Sequence, residues 1–339
     1  MSDTARIPAP PAPPTLHGAG RTLVLTYQDV LAVADMALAV DAVEQAFAAH
    51  ARGEARMPSK VYLDLPEQQG DFRAMPSLMG RYAGVKWVNA HPHNRERFDL
   101  PTVMGTYVLS DPRSGFPLAI MDATWLTALR TGAAAAVATK HLANLPLTRV
   151  GFVGTGVQAR MFRDAHRVLG PFELLAADKD EARARAFAEE SGGRAVSLEE
   201  ASACPVVCIA TPSSSPVILR SWVKPGTHIN AMGADGPGKQ ELDPDILRAS
   251  RVVIDELEQS THGGELNVPI ANGQYDEASI AATLGQVITG QRKARTAPEQ
   301  ITVFDSTGLA IQDVALAGAL YERAQQRGLG HALALVPTR

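Results

Sequence analysis

The feature that most constrains this chain is the run VGFVGTGVQA at 150–159. A short apolar strand, Thr148–Gly154, feeds a glycine-spaced turn that opens a helix over Gln158–Leu169. The spacing has mechanical reasons. Gly154 permits a tight turn, Gly156 lets backbone approach a diphosphate, and the small Ala159 lets the helix sit close to a sheet. The N–H groups around Val157 and Gln158 would face that diphosphate at the positive end of the helix dipole. After this motif the sequence alternates. Strands are expected over Phe172–Asp178, Val206–Thr211, His228–Met232, Arg251–Asp255 and Ile301–Asp305, with helices over Glu181–Ser191 and Pro244–Ala249. Repeated βα units imply a parallel sheet with helices on both faces, an α/β fold of Rossmann type.

The second strand of that series ends in Ala176-Ala177-Asp178, about 20 residues beyond the glycine turn. A carboxylate there can accept bonds from both ribose hydroxyls of an adenosine and repels a 2′-phosphate, which favours NAD over NADP. Lys179 beside it softens that preference. The same aspartate could instead cap the helix that follows. Thr211 and Ser213 fall at the carboxyl edge of the next strand, where open α/β sheets bind ligands.

The amino-terminal part has another character. Residues 28–52 carry apolar residues at helical spacing and are expected to form one helix. Residues 58–121 give short β-type runs at Lys60–Leu65, Gly84–Asn89, Val103–Ser110 and Pro117–Met121, the last two joined by the turn DPRSG. This is a mostly antiparallel sheet. Asp122 is placed to cap an Ala-rich helix running to about Asn144, whose small side chains suggest a closely packed neighbour. A last helix is expected over 307–326. Residues 1–20 are Pro-rich and are expected to be an extended tail rather than a signal peptide.

Composition narrows the partners. A net charge of -4 without a long Lys/Arg run argues against nucleic acid and anionic membranes. No apolar run approaches membrane-spanning length. Cys204 and Cys208 read as buried free thiols of a core strand, consistent with a reducing cytoplasm. His91 and His93 lack acidic or thiol partners at metal-binding spacing, so no metal is expected, and His262 with Glu265 is assigned no role.

Several separated stretches converge. RMPSK at 56–60, GVKWVN at 84–89, LTALRTGAAA at 126–135, GTGVQA at 154–159, GADGPGKQEL at 233–242 and VFDSTGLAIQD at 303–313 together resemble the ornithine cyclodeaminase/mu-crystallin family. The resemblance implies a Rossmann dinucleotide-binding domain, 126–309, and a second α+β domain built from both chain ends, 21–125 and 310–339. The latter is implied to form a homodimer and supply the substrate pocket. It implies that Arg56 pairs with a substrate carboxylate and that Lys86 touches that carboxylate or a carbonyl oxygen. Asp235 corresponds to a general base and Lys239 to a site-lining lysine. Thr102, Arg130 and Thr131 correspond to residues near the cofactor phosphates and substrate. Met232, Gly233 and Ala234 would lie along the cofactor, and Ser306 and Thr307 on its nicotinamide side. The loop GADGPGKQEL departs from the GGDCPGKTE pattern of the cyclodeaminase branch and resembles the alanine dehydrogenase branch. The implied activity is NAD-dependent oxidative deamination of a small L-amino acid, L-alanine first. Ornithine cyclodeamination, imine or ketimine reduction, and cofactor-dependent ligand binding without turnover are the alternatives.

Overall fold

The computed structural model describes residues 20–337, so all but the last residue of the expected tail lie outside the described residues. The chain divides into two compact units. Among the described residues, unit 1 comprises 20–38, 49–127 and 310–337, and unit 2 comprises 39–48 and 128–309. Ten residues from the middle of helix Met36–Ala51 therefore cluster with unit 2, although the sequence-based boundary placed the whole of 21–125 in one domain.

Unit 1 is built on one mixed sheet. Its strands are β1 (Thr22–Leu25), β2 (Ala55–Arg56), β3 (Val61–Leu65), β4 (Gly70–Met79), β5 (Tyr82–Ala90), β6 (Val103–Ser110) and β7 (Pro117–Asp122), with β18 (His331–Leu333) on the outer edge of β1. The order is β18-β1-β7-β6-β5-β4-β2, with β3 also paired to β4. The β6–β7 turn forms as the DPRSG signal predicts, with the Asp111 carboxylate accepting the Arg113 N–H at 2.9 Å. Four strands of this sheet were not legible, the short β2 and β18 and two others. The ten-residue β4 contains Pro76 and no clean alternation, and is held by pairing to β3 and β5 on either side. The four-residue β1 is held by β7 and β18. The single helix expected over 28–52 is in fact two, Tyr27–Val33 and Met36–Ala51. Ala34 turns to extended backbone, and the Asp35 side chain accepts the Leu38 N–H at 2.8 Å, which starts the second helix afresh.

Strand parity decides what unit 1 buries. On β5, Tyr82, Lys86 and Val88 are buried while Trp87 is exposed. The C-terminal helix Ala310–Arg327 packs across β4 and β5 and covers that inward face. Glu322 on this helix accepts from Arg81 at 2.5 Å and from the Tyr82 hydroxyl at 2.8 Å.

Unit 2 carries a second eight-stranded sheet. It contains β8 (Arg149–Val153), β9 (Glu173–Ala177), β10 (Arg194–Ala195), β11 (Val206–Ile209), β13 (His228–Ala231), β15 (Ser250–Ile254), β16 (Ala282–Thr283) and β17 (Ile301–Asp305). Every pairing is parallel, in the order β10-β9-β8-β11-β13-β17-β15-β16. The sequence order reverses at β8, so the glycine turn lies at the switch point of a doubly wound sheet. A two-stranded parallel pair, β12 (Ser214–Ile218) with β14 (Gln240–Leu242), lies off this sheet.

The Ala-rich segment 133–138 is wholly buried. Its neighbour Gly132 leaves no room for a side chain, since a Cβ there would come within 2.6 Å of the Met161 carbonyl oxygen. Asp122 accepts the Trp125 N–H at 2.8 Å, as the start of this helix requires. Cys204 and Cys208 are free and buried, and burial pushes their thiols up to about 11 and 12. Buried His166 accepts from Thr139 at 2.8 Å and donates through Nδ1 to the Phe162 carbonyl at 2.7 Å. Asn230 joins Thr139 to His228 across the same core. Among the described residues, no helix is long and apolar enough to cross a membrane.

Candidate functional site

The turn between β8 and helix Val157–Leu169 has the form that diphosphate binding requires. Gly154 sits at φ +84°, a conformation that side-chain-bearing residues rarely adopt, and its N–H donates to the Ala177 carbonyl at 2.9 Å. Gly156 is the N-cap and offers no side-chain cap bond to the helix. A Cβ built on Gly156 meets nothing within 4 Å. The helix N-terminus therefore opens onto free space with Val157 exposed beside it, which fits a bound dinucleotide.

Asp178 stands at the end of β9. Its Oδ2 accepts the Thr155 N–H at 2.8 Å and the Thr155 hydroxyl at 2.9 Å, and Oδ1 accepts the Asp180 N–H at 3.0 Å. Burial works to raise its pKa, but the N–H groups of Asp180 and Thr155 and the Thr155 hydroxyl outweigh it and hold the carboxyl below its ordinary range. It is not the helix cap. Asp180 is, accepting from Ala182 and Arg183. A carboxylate offers about four lone-pair positions, so these three bonds leave room for a ribose hydroxyl.

Further along the carboxyl edge lie the other residues that the sequence singles out in unit 2. Met232 and Ala234 are buried, and Gly233 is confined, since a Cβ there would fall 2.5 Å from both the Thr211 carbonyl oxygen and Glu241 Oε1. Asp235 is half-buried and pairs with Lys239. Asn267 ties this loop down, accepting the Gly238 N–H at 2.9 Å and donating to the Lys239 carbonyl at 3.0 Å. Ser213 is turned to the Ser215 carbonyl. Arg130 is buried with its guanidinium against Gly308, and Thr131 is half-buried. The Ser306 and Thr307 hydroxyls both donate to Asp255, a residue the sequence reading did not select.

Asp255 belongs to a row of buried carboxylates to which the sequence reading assigned no role, Glu265 among them. Glu241 accepts the Thr211 N–H at 2.5 Å and the Gly233 N–H at 2.7 Å. Glu265 accepts from the backbone of Glu241 at 3.0 Å and Leu242 at 2.7 Å. Asp305 accepts from the backbone of Glu265 at 2.8 Å, and Asp255 from Thr307 at 2.7 Å and Gly308 at 2.8 Å. Burial pushes Glu241 up to about 7, and pushes Glu265 and Asp305 well above the usual carboxylate range, with the neighbouring negative charges adding to the effect at the last two. His262 takes no part; its Nδ1 bonds to the Glu258 carbonyl on the surface.

In unit 1, Lys86 is wholly buried. Strand register sets it opposite Met75 of β4 and Tyr107 of β6, and its ammonium lies 2.8 Å from both carboxylate oxygens of buried Asp313. Asp313 was also missed, although an acid following Gln312 inside the apolar run 309–320 was a usable signal. Arg56 is exposed on β2, and exposed Thr102 presents its carbonyl to the His91 N–H at 2.8 Å. His93 lies 3.6 Å from Glu96.

The model of the ornithine cyclodeaminase/mu-crystallin family matches residues 21–328. The chain belongs to that family. Among its relatives is the alanine dehydrogenase of Archaeoglobus fulgidus, 48% identical over 91% of this chain and 97% of that protein. A solved archaeal alanine dehydrogenase dimer with bound NAD superposes with a TM-score of 0.90 at 48% identity, covering 93% of this chain and all of the other. The Thermococcus litoralis Δ1-pyrroline-2-carboxylate reductase, solved with NADH and L-proline, gives 0.86 at 33% identity over 91% of this chain and 99% of the other.

Proposed function

We propose that this family member is an NAD-dependent amino-acid dehydrogenase that converts L-alanine to pyruvate and ammonia. The observation that carries the reading is the 48% identity to an alanine dehydrogenase along almost the whole of both chains. Gly154, Gly156 and the first turn after them would hold the diphosphate, and Asp178 the adenosine ribose. Bound NAD supplies the hydride acceptor for the substrate α-carbon.

The chain's own residues bind, orient and move protons. The Arg56 guanidinium can meet a carboxylate through two parallel N–H···O bonds. Lys86 is covered in this structure and paired with Asp313, so in this reading its ammonium has to be uncovered before it meets a carboxylate or the oxygen of a carbinolamine. An α-ammonium must lose a proton before its carbon can give up hydride, and Asp235 is the acceptor in this reading, steadied by Lys239. A homodimer belongs to the same reading: unit 1 leaves Val61, Leu63, Trp87 and Phe98 exposed, apolar side chains that a second copy would cover. So does a reducing cytoplasmic setting, given two free buried thiols.

The test is absorbance at 340 nm with NAD and L-alanine, where a rise is expected, and a fall with NADH, pyruvate and ammonia. Proline formed from ornithine without net absorbance change would replace this reading with cyclodeamination. Turnover of cyclic imines alone would replace it with imine reduction. Asp235→Asn is expected to lose at least about a hundredfold in kcat, the usual contribution of a positioned base, while NAD affinity holds. Full activity in that variant would remove Asp235 from the mechanism.

A further inference from the structure

The carboxylate of Glu241 occupies an unusual place. It reaches back from β14 and accepts one N–H from the residue group after β11 and one from the residue group after β13. These are two adjacent parallel strands, and Thr211 and Gly233 each sit two residues past the last residue of their strand. One side chain therefore sets the separation between two loops at the carboxyl edge, the region where this sheet type holds its ligand. The enclosure is complete, since Glu241 is wholly buried and Gly233 has no space for a Cβ against it. Its own backbone is fixed in turn, because Glu265 accepts the N–H groups of Glu241 and Leu242 and Asp305 accepts that of Glu265.

We propose that Glu241 is a positioning residue for the dinucleotide: by bridging the Thr211 and Gly233 N–H groups it holds the 211–213 and 232–235 loops at the spacing that binding requires. The proposal rests on the reading of unit 2 as an NAD-binding unit. Glu241 touches neither cofactor nor substrate in this role and acts through the two loops.

The chemistry gives the bridge a pH dependence. A carboxylate accepts strongly at both oxygens, whereas a neutral acid makes weaker bonds to the same N–H groups. Burial raises Glu241 to about 7, with the Thr211 and Gly233 bonds and the Lys239 ammonium opposing that rise. The acidic groups that also face it are Glu265 and Asp305, and Asp255 bears on it through Asp305. With a midpoint near 7, the ionised fraction falls from roughly nine-tenths at pH 8 to roughly one-tenth at pH 6, and an affinity that needs the ionised form weakens about tenfold.

Two measurements on the full chain test this. Calorimetric titration with NAD from pH 6 to 8 should show that roughly tenfold weakening in the native protein. Glu241→Gln should weaken binding at pH 8 by a similar factor and flatten the profile, because its amide presents a donor to one of the two N–H groups. Glu241→Asp, which stays ionisable but is one methylene short, should weaken binding and keep a sloping profile. Hydrogen exchange without NAD reads the bridge directly: the Thr211 and Gly233 amides should exchange faster in Glu241→Gln while those of β8 do not. Native affinity and slope in a folded Glu241→Gln would overturn the proposal, as would unchanged protection of those two amides. If Glu241→Gln does not fold, Glu241→Asp decides, and native affinity in it overturns the proposal. Absence of NAD binding by the native protein at pH 8 would instead refute the dinucleotide reading, whatever the exchange data show.

Discussion

Breaking the Lys86–Asp313 pair by Asp313→Leu leaves an ammonium inside unit 1 with its counter-charge removed. Both side chains are wholly buried, and Lys86 lies between Met75 and Tyr107 in register, so water cannot take over the lost partner without opening the sheet. Tyr107 already registers the Asp313 charge, its phenol pushed above the ordinary range first by burial and then by that carboxylate. Removing one member of such a pair costs about 3–5 kcal/mol, a large share of the roughly 5–15 kcal/mol that holds a domain together. Replacing both, as Lys86→Met with Asp313→Leu, exchanges an ion pair for apolar packing of similar volume and is expected to recover most of the loss. Urea unfolding followed by tryptophan fluorescence from Trp87, Trp125 and Trp222 measures this. The coupling energy of the double-mutant cycle should be at least about 3 kcal/mol. The recovered double variant should fold and yet have lost turnover, which separates the stabilising role of the pair from the chemical role proposed for Lys86. A loss below about 1 kcal/mol in Asp313→Leu, the scale of a solvent-exposed pair, would refute the premise that the pair is sealed from water.

Three further outcomes follow from the same structure. Asp178→Ser should shift cofactor preference toward NADP in paired KM measurements, and it should weaken the glycine turn because Thr155 loses its acceptor; an unchanged preference would leave Asp178 with only that internal role. Arg56→Ala should raise the KM for the amino acid at least tenfold while the Kd for NAD moves little, and equal losses in both would mark Arg56 as structural. Burial holds His166 near 4 and His228 near 3, below the 6.5 of an unfolded histidine. The unfolded chain therefore binds protons first, so stability should be complete above pH 6.5 and fall as pH drops from there toward 3, by on the order of 3 kcal/mol for His166 alone. The raised carboxylates Glu241, Glu265 and Asp305 act with the opposite sign, since the folded state holds their protons more tightly. A His166→Gln protein whose urea midpoint falls between pH 6.5 and 4 as steeply as the native one would remove the histidine from this account.

Several segments of the candidate site could be placed at strand ends before any fold was known. The glycine turn, Asp178, the Asp235 loop and the Ser306–Thr307 segment each follow a strand, and a strand ending in small or polar residues marks the carboxyl edge by itself. Asp178 was readable but ambiguous. Only the coordinates assign the cap to Asp180. The row Glu241, Glu265, Asp305 and Asp255 was not readable, because these acids bond largely to backbone N–H groups, which nearly every residue possesses and no sequence pattern labels.

The sequence by itself determined the parallel α/β unit, its dinucleotide turn and the family, because these depend on residue types at fixed short spacings. Tertiary structure alone decided that β4 is a strand at all, that Lys86 is sealed against Asp313 227 residues away, and that one glutamate joins the ends of β11 and β13. Local spacing encodes backbone periodicity and turns. Whether a buried charge meets its partner depends on chain segments far apart in sequence, and only packing brings those to within 3 Å.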